Sequence, residues 1–429
     1  MSQEAIILLN LSLALFAGLA LSRLAKVFNL PAVTAYLIAG VLIGPFVLGA
    51  FGVSGLGFTS MANVDNYTIL CDIALGFIAF SIGNEFRISS LKTIGKQATV
   101  VGILQALTAT LLVDGVLIAM HFIMPDKLPL PSAIILGAVA SATAPAATLM
   151  VVRQYKAKGP LTNMLLPVVA LDDAVGLIVF AISFGIAKSL GTGKVDFVSI
   201  IVEPILEVVL SLLLGALMGW LFAFMERFFQ SRSKRMAVSV TFVLLTVGLS
   251  MISFDIGGVH IAFSSLLVCM MLGTVFCNIC DFSEELMDRV DRWTAPLCIL
   301  FFVIIGSQLD LSVFTDGAVV LIGVLYIIAR SIGKCVGAWG SAKMTKCEPT
   351  IVKYLGITLL PQAGVALGMA LKASELGAEG AIVQNITLFA VLIYEIVGPM
   401  LTKIALTKAG DITPEGRTSA RAIHAKHKR

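Results

Sequence analysis

Charge is what this sequence has least of. Only 13% of its 429 residues are Asp, Glu, Lys or Arg, where a soluble protein carries about a quarter. A soluble catalytic domain is therefore not expected, no nucleophile triad stands out, and an enzyme is not the reading. Histidine occurs four times, too sparsely to complete a zinc centre around Cys277 and Cys280, a lone CxxC with no second pair. The seven cysteines are odd in number and lie mostly in apolar segments, which argues against a disulfide framework. No basic, aromatic-interleaved patch points to nucleic acid. The segment Met1 to Leu21 lacks a basic start and a small-residue cleavage site, so it reads as a first membrane span rather than a signal peptide. No cofactor is implied.

What is present is apolar length: 58% of the residues are hydrophobic. By the span-length rule there are about thirteen candidate helices: residues 4–22, 32–51, 66–85, 97–122, 131–154, 160–188, 198–229, 235–252, 259–277, 293–311, 315–342, 350–372 and 381–407. The fold class is an all-α polytopic membrane protein. Of the 30 Lys and Arg residues, 24 fall on alternate connections and the C-terminal tail, four on the opposite set, and Arg330 and Lys334 inside a span. That bias places the C-terminus in the cytoplasm and the N-terminus outside. The run "DFSEELMDRVDR" (281–292) reads as an acidic, solvated loop on the cytoplasmic side.

An odd span count allows two six-helix halves around a linker, with repeat one at about 4–188, a linker helix at about 198–229 and repeat two at about 235–407. The halves then run in opposite directions, an inverted repeat. Spans 5 and 12 correspond in that scheme, and both are interrupted: "AVASATAPAATLMVV" by Pro145 and "ITLLPQAGVALGMAL" by Pro361. Each proline removes an amide and clashes with a carbonyl one turn back. A broken pair at equivalent positions points to a binding site near the midplane.

The chemistry concentrates in "VVALDDAVGLIVF" (168–180), where Asp172 and Asp173 lie in an apolar run. Asp172 is about 12 residues into span 6, roughly 18 Å deep. Carboxylates at that depth are costly and default to ion or proton pathways. Adjacent helical residues point roughly 100° apart, so one acid can pair with a fixed cation while the other faces the pathway. Candidate cations are Lys334 and Arg330 in "YIIARSIGKCVGAW", four residues apart on one face. Glu395 is a candidate partner for Arg330. Ser141, Thr143 and Thr148 offer hydroxyls beside the break at Pro145, and Gln362 is the polar group beside Pro361. Oxygen ligands suit a small hard cation. Asp114 is left as a hydrogen-bonded or cavity-facing acid.

"ATAPAATLMVVRQYKAKGPLT" followed by "VVALDDAVG" resembles the monovalent cation:proton antiporter superfamily, the bacterial sodium/hydrogen exchanger domain. "NLPAVTAYLIAGVLIGP", "IGNEF" and "LLPQAGVALGMAL" are similar to its second, third and twelfth spans, so the resemblance covers nearly the whole chain, 4–408. It implies a core domain with crossed broken helices, spans 5 and 12 among them, beside a dimerisation domain, in a homodimer. It implies that Asp173 binds ion and proton, and that Asp172 and Lys334 are the acid–lysine pair of the electrogenic NapA-type branch. Electroneutral relatives have Asn where this chain has Asp172, and often Asp where it has Ala144. Glutathione-gated potassium efflux relatives carry a nucleotide-binding domain; residues 409–429 here form a short basic tail with no GxGxxG unit. The expectation is exchange of Na⁺, or Li⁺, for protons across the cell membrane. A K⁺/H⁺ antiporter shares every one of these motifs, and a cation channel or a sodium-coupled symporter stands behind it.

Overall fold

Long apolar stretches in this chain have one way to satisfy their backbone in lipid, and they become helices. The computed structural model describes the chain apart from residues 1, 28–31, 54, 85, 145–147, 149–150, 153–154, 192–201, 257–258, 310–314 and 413–429. The helices are α1 (Gln3–Val27), α2 (Ala32–Ile43), a short α3 (Met61–Asp65), α4 (Thr68–Asn84), α5 (Ile88–Ile123), α6 (Leu130–Val139), α7 (Pro160–Gly191), α8 (Glu203–Glu226), α9 (Arg232–Ser250), α10 (Ser265–Ile279), α11 (Ser283–Ser307), α12 (Gly317–Met344), α13 (Pro349–Thr358), α14 (Gly364–Ala373) and α15 (Ala378–Ala409). Eight of those described are long and apolar enough to cross a membrane, and α2, α4, α6 and α10 are shorter apolar helices.

The second expected span, 32–51, stops as a helix at Ile43, just ahead of Gly44 and Pro45, and two further stretches differ from the sequence expectation. A span was expected to begin at 259, but Phe254–Ile256 and Val259–Ile261 pair as an antiparallel ribbon with Asp255 opposite His260, and the helix starts only at Ser265. Ser264 caps it, its side chain accepting from the Leu267 amide. The acidic run expected as a loop is instead the first two turns of α11. Leu286, Met287 and Val290 are buried at helical spacing, while Glu284 pairs with Arg87 at 3.2 Å and Glu285 pairs with Arg289. Acids in a first helical turn also meet the positive end of the helix dipole.

Glycines set the closest helix crossings. A Cβ on Gly40 of α2 would collide with the Val303 carbonyl of α11, and one on Gly306 of α11 with the Leu37 carbonyl of α2. The same reciprocal arrangement joins Gly83 of α4 to Met270 of α10, and Gly273 of α10 to Phe80 of α4. Small residues at both sides of a crossing let backbones touch, which is how helices associate where lipid competes equally for apolar side chains.

The broken stretches lie elsewhere. Helix α6 ends at Val139, and the chain through Ala144 is not helical. Pro145, expected as the cause of that break, lies outside the described residues. Helix α13 ends at Thr358 and α14 starts at Gly364, so Pro361 sits in the middle of a non-helical stretch. Helix α7 threads between two apolar clusters. Leu161, Leu165, Val168 and Val169 belong to one, and Leu177, Phe180 and Phe184 to the other. Asp172 and Asp173 occupy the gap. The start of α7 is tied down by the far end of the chain: the Asp411 carboxylate accepts from the Thr162 amide and hydroxyl, both at 2.7 Å. Gly410, at φ +85°, makes the left-handed turn that delivers it.

Two outcomes follow from this packing. Gly273→Val is expected to lower the melting temperature of the detergent-purified protein sharply, while Gly248→Ala, with nothing within 4 Å of the new methyl, leaves it unchanged or raised. Asp411→Ala removes a helix cap and is expected to destabilise by about 0.5–2 kcal/mol, read as a smaller fall in the same melt, with Asp411→Asn recovering part of it.

Candidate functional site

The two broken stretches cross, and the Ala144 amide donates directly to the Pro361 carbonyl at 2.9 Å. Helix ends stopped inside a bilayer leave carbonyls without partners. Arg330 of α12 supplies three of the missing donors. Its Nε donates to Ala140 O at 3.0 Å and its two terminal nitrogens to Leu360 O at 2.8 Å and Ala142 O at 2.6 Å. One fully buried guanidinium thus closes the C-terminal ends of both α6 and α13, where the helix dipoles favour a cation. Gln362 adds a fourth donor, from Nε2 to Val139 O at 2.9 Å, and the same nitrogen lies 2.9 Å from the Tyr326 hydroxyl.

One turn further along α12, Lys334 reaches the acids. Its ammonium lies 2.7 Å from Asp172 Oδ2, donates to Thr143 Oγ1 at 3.0 Å, and donates to the Ser141 carbonyl. Both Lys334 and Asp172 are fully buried. Thr143 donates its hydroxyl to the same Asp172 oxygen at 2.6 Å, and its backbone amide lies 3.3 Å from Asp173 Oδ1. The non-helical stretch 141–144 therefore serves both carboxylates at once, one through the Thr143 side chain and the other through its main chain. Ser141 contributes its carbonyl here; its hydroxyl donates to Ala138 O within its own helix end.

The structure separates two residues that sequence reasoning placed together. Glu395 on α15 does not pair with Arg330. The guanidinium is drawn instead to the stranded carbonyls, and its Cζ lies 4.5 Å from the centre of the neighbouring Tyr394 ring. Glu395 is fully buried, and neither of its carboxyl oxygens has a hydrogen-bond partner among the described residues. Asp114 packs against Gly137 of α6, with Oδ1 likewise unpartnered.

Sequence reasoning also passed over a residue. Gln105 of α5 donates from Nε2 to Asp172 Oδ2 at 2.8 Å, so that one carboxylate oxygen accepts from an amide, a hydroxyl and an ammonium. The signal was available: Gln105 is an isolated amide inside the apolar run "VVGILQALTATLL". Three donors converge on Asp172 Oδ2, while Asp172 Oδ1 and Asp173 Oδ2 have no hydrogen-bond partner among the described residues. Buried, paired, hydrogen-bonded acids with open lone pairs can bind a proton or a dehydrated cation, and either one satisfies them.

Residues 11–408 match the family described as sodium/hydrogen exchanger, transmembrane. Among solved structures, the chain is similar to that of the sodium proton antiporter MjNhaP1 from Methanocaldococcus jannaschii at pH 8, with a TM-score of 0.73 and 17% identity over 93% of this chain and 97% of that one. A structure of the same antiporter from an electron-microscopy map gives a TM-score of 0.67 and 17% identity over 98% of this chain and 100% of that one. At that identity the likeness is one of fold.

Arg330→Met is expected to leave the Ala140, Ala142 and Leu360 carbonyls without a side-chain donor. Each buried carbonyl without a donor costs about 1–3 kcal/mol, so the variant should lose most of its folded yield. Arg330→Lys, a point charge without the planar fork, should recover only part. A melting temperature equal to wild type in Arg330→Met would remove Arg330 from this role.

Proposed function

We infer the function from the family to which the chain belongs, the sodium/hydrogen exchanger family, whose members are multi-pass membrane transporters that exchange a monovalent cation for protons. On that premise we propose that Asp172 and Asp173 are its exchange site, that Na⁺ is the favoured cation, and that exchange is electrogenic. The observation that carries the reading is the cluster itself: two buried acids in a long apolar helix, one bonded to Lys334 and Thr143, beside two crossed broken segments.

Cation and proton compete for the same oxygens, so only one is carried at a time. With protons released, Asp173 takes the cation together with Asp172 and Thr143. Oxygen ligands of this kind suit a small hard ion. Lys334 occupies Asp172 Oδ2 until the cation arrives and displaces the ammonium. With three exchangeable groups, more than one proton moves per cation, and transport draws about 2.3 kcal/mol per charge from each 100 mV of membrane potential.

We place the two repeats at about 4–188 and 235–407 around a linker helix. Two features support this: the breaks at 140–144 and 359–363, and the reciprocal glycine crossings, since α2 with α11 and α4 with α10 exchange places under that symmetry. In this arrangement α5, α6, α7, α12, α13, α14 and α15 form the moving core, and α1, α2, α4, α9, α10 and α11 the dimerisation side of a homodimer. The N-terminus lies outside the cell membrane and the C-terminus in the cytoplasm, following the Lys and Arg bias.

In proteoliposomes with an internal pH dye, Na⁺ addition should drive proton movement, and Asp173→Asn should abolish it at every pH tested. Parallel runs with Li⁺ and K⁺ rank the ions. The stoichiometry is read from the membrane potential at which net flux vanishes. Flux that is indifferent to potential means one-to-one exchange and defeats the electrogenic version. Cation entry without proton movement defeats antiport altogether.

A further inference from the structure

Gln105 lies where three helices are forced together. Gly102, one turn before it on α5, is so close to α7 that a Cβ there would come within 2.9 Å of the Leu171 Cβ. On α12, a Cβ on Gly337 would come within 2.9 Å of Gln105 Cα. Close approach on both sides brings the α5 amide, the α7 carboxylate and the α12 ammonium to one point. Gln105 is fully buried there.

The orientation of its amide is set by its neighbours. Nε2 donates to Gly102 O at 3.2 Å and to Asp172 Oδ2 at 2.8 Å. Turning the amide over would set its oxygen against two acceptors, so the nitrogen must face them. Both N–H groups are then engaged, and Oε1 is carried on the same amide as the nitrogen that meets Asp172. That oxygen is sealed from solvent and accepts no hydrogen bond among the described residues. Asp172 Oδ1 and Asp173 Oδ2 are in the same condition. A buried acceptor without a donor costs about 1–3 kcal/mol, and here three accumulate around one pair of acids. Many cavities would admit one such atom. Three on neighbouring side chains, two of them on acids and the third on the amide bonded to one of those acids, describe a place for a positive ion. A hard cation satisfies oxygens of this kind together.

We propose that Gln105 belongs to the cation site, its N–H groups positioning Asp172 and its Oε1 serving as a neutral oxygen ligand that helps to choose the ion. This rests on the exchange-site reading of Asp172 and Asp173 and extends it to α5. A carbonyl-type oxygen on a flexible side chain adds a ligand without adding charge. It thereby favours an ion by the number and spacing of its ligands rather than by net attraction.

Gln105→Met keeps the length and removes both amide functions; Gln105→Asn keeps the amide and draws it back by one methylene. Two readouts are taken on each purified full-length variant: apparent KM for Na⁺ and for Li⁺ in proteoliposomes, and the rise in melting temperature on adding Na⁺, which reports binding without transport. Loss of one ligand should raise the Na⁺ KM in Gln105→Met about tenfold, the worth of a single good polar contact. It should also change the Na⁺ to Li⁺ ratio and shrink the Na⁺-dependent thermal shift. Gln105→Asn should fall between Gln105→Met and wild type, and it carries the test alone if Gln105→Met does not fold. A variant with wild-type KM, ion ratio and thermal shift overturns the assignment. So does a variant that is less stable but has unchanged ion ratio and Na⁺ shift, since that is a purely structural role. If wild type itself shows neither a Na⁺ shift nor Na⁺-driven proton movement, the exchange-site reading fails and this assignment falls with it. A wild type that exchanges normally beside an unaffected variant sinks the Gln105 assignment alone.

Discussion

A backbone carbonyl that loses its helical partner inside a bilayer has no water to turn to, and the centre of this protein is organised around that constraint. Helices α6 and α13 both stop within the apolar interior, and their last carbonyls need donors. Arg330 takes three of them, Gln362 a fourth and Lys334 a fifth, at Ser141. Closing the helix ends fixes the non-helical stretch 141–144, which carries the Thr143 amide to Asp173 and the Thr143 hydroxyl to Asp172. The acids are therefore positioned by the same bonds that make the broken helices tolerable. The break and the site are one arrangement.

The rest of the helical frame relies on a different device. Reciprocal glycines at Gly40 with Gly306 and at Gly83 with Gly273 let backbones touch. These contacts carry no chemistry and depend on shape alone. At those two crossings the helices are joined by close van der Waals contact, while the broken stretches are joined to each other and to α12 by hydrogen bonds as well. Shape-based contacts keep their partners wherever water goes. Hydrogen-bonded carbonyls can exchange a protein donor for water when a pathway opens. A structure divided this way concentrates its exchangeable bonds where the acids are.

Much of this was legible in the sequence, for physical reasons that also mark where legibility stops. Apolar length is a one-dimensional property, so most helices lie close to where hydropathy puts them. A carboxylate pair in lipid is conspicuous because nothing routine explains it, and Asp172 with Asp173 stood out at once. Carbonyl acceptors, by contrast, have no sequence signature. Every residue has one, and so the partners of Arg330 could not be read. Glu395 was the only acid suggested for it, whereas the guanidinium meets main chain. Gln105 was missed because a single amide in an apolar helix is weak on its own. Its meaning comes from Asp172, 67 residues away. The acidic start of α11 was misread because charge was weighed without the periodicity of Leu286, Met287 and Val290 beneath it.

Arg330 and Lys334 sit four residues apart on one face of α12, both fully buried, yet they are not interchangeable. A guanidinium keeps its proton under all relevant conditions and presents a rigid fork of donors; an ammonium is a single point that can lose its proton when its surroundings change. The fork is bonded to three carbonyls that never titrate, a task for which permanence is an advantage. The ammonium is bonded to a carboxylate, a hydroxyl and one carbonyl, a mixed set in which a change of partner is possible. Exchanging the two residues would put an immovable cation on the acid and a removable one on the helix ends. The order Arg then Lys along α12 thus puts the permanent cation on the helix ends and the changeable one on the acid, within one helical turn.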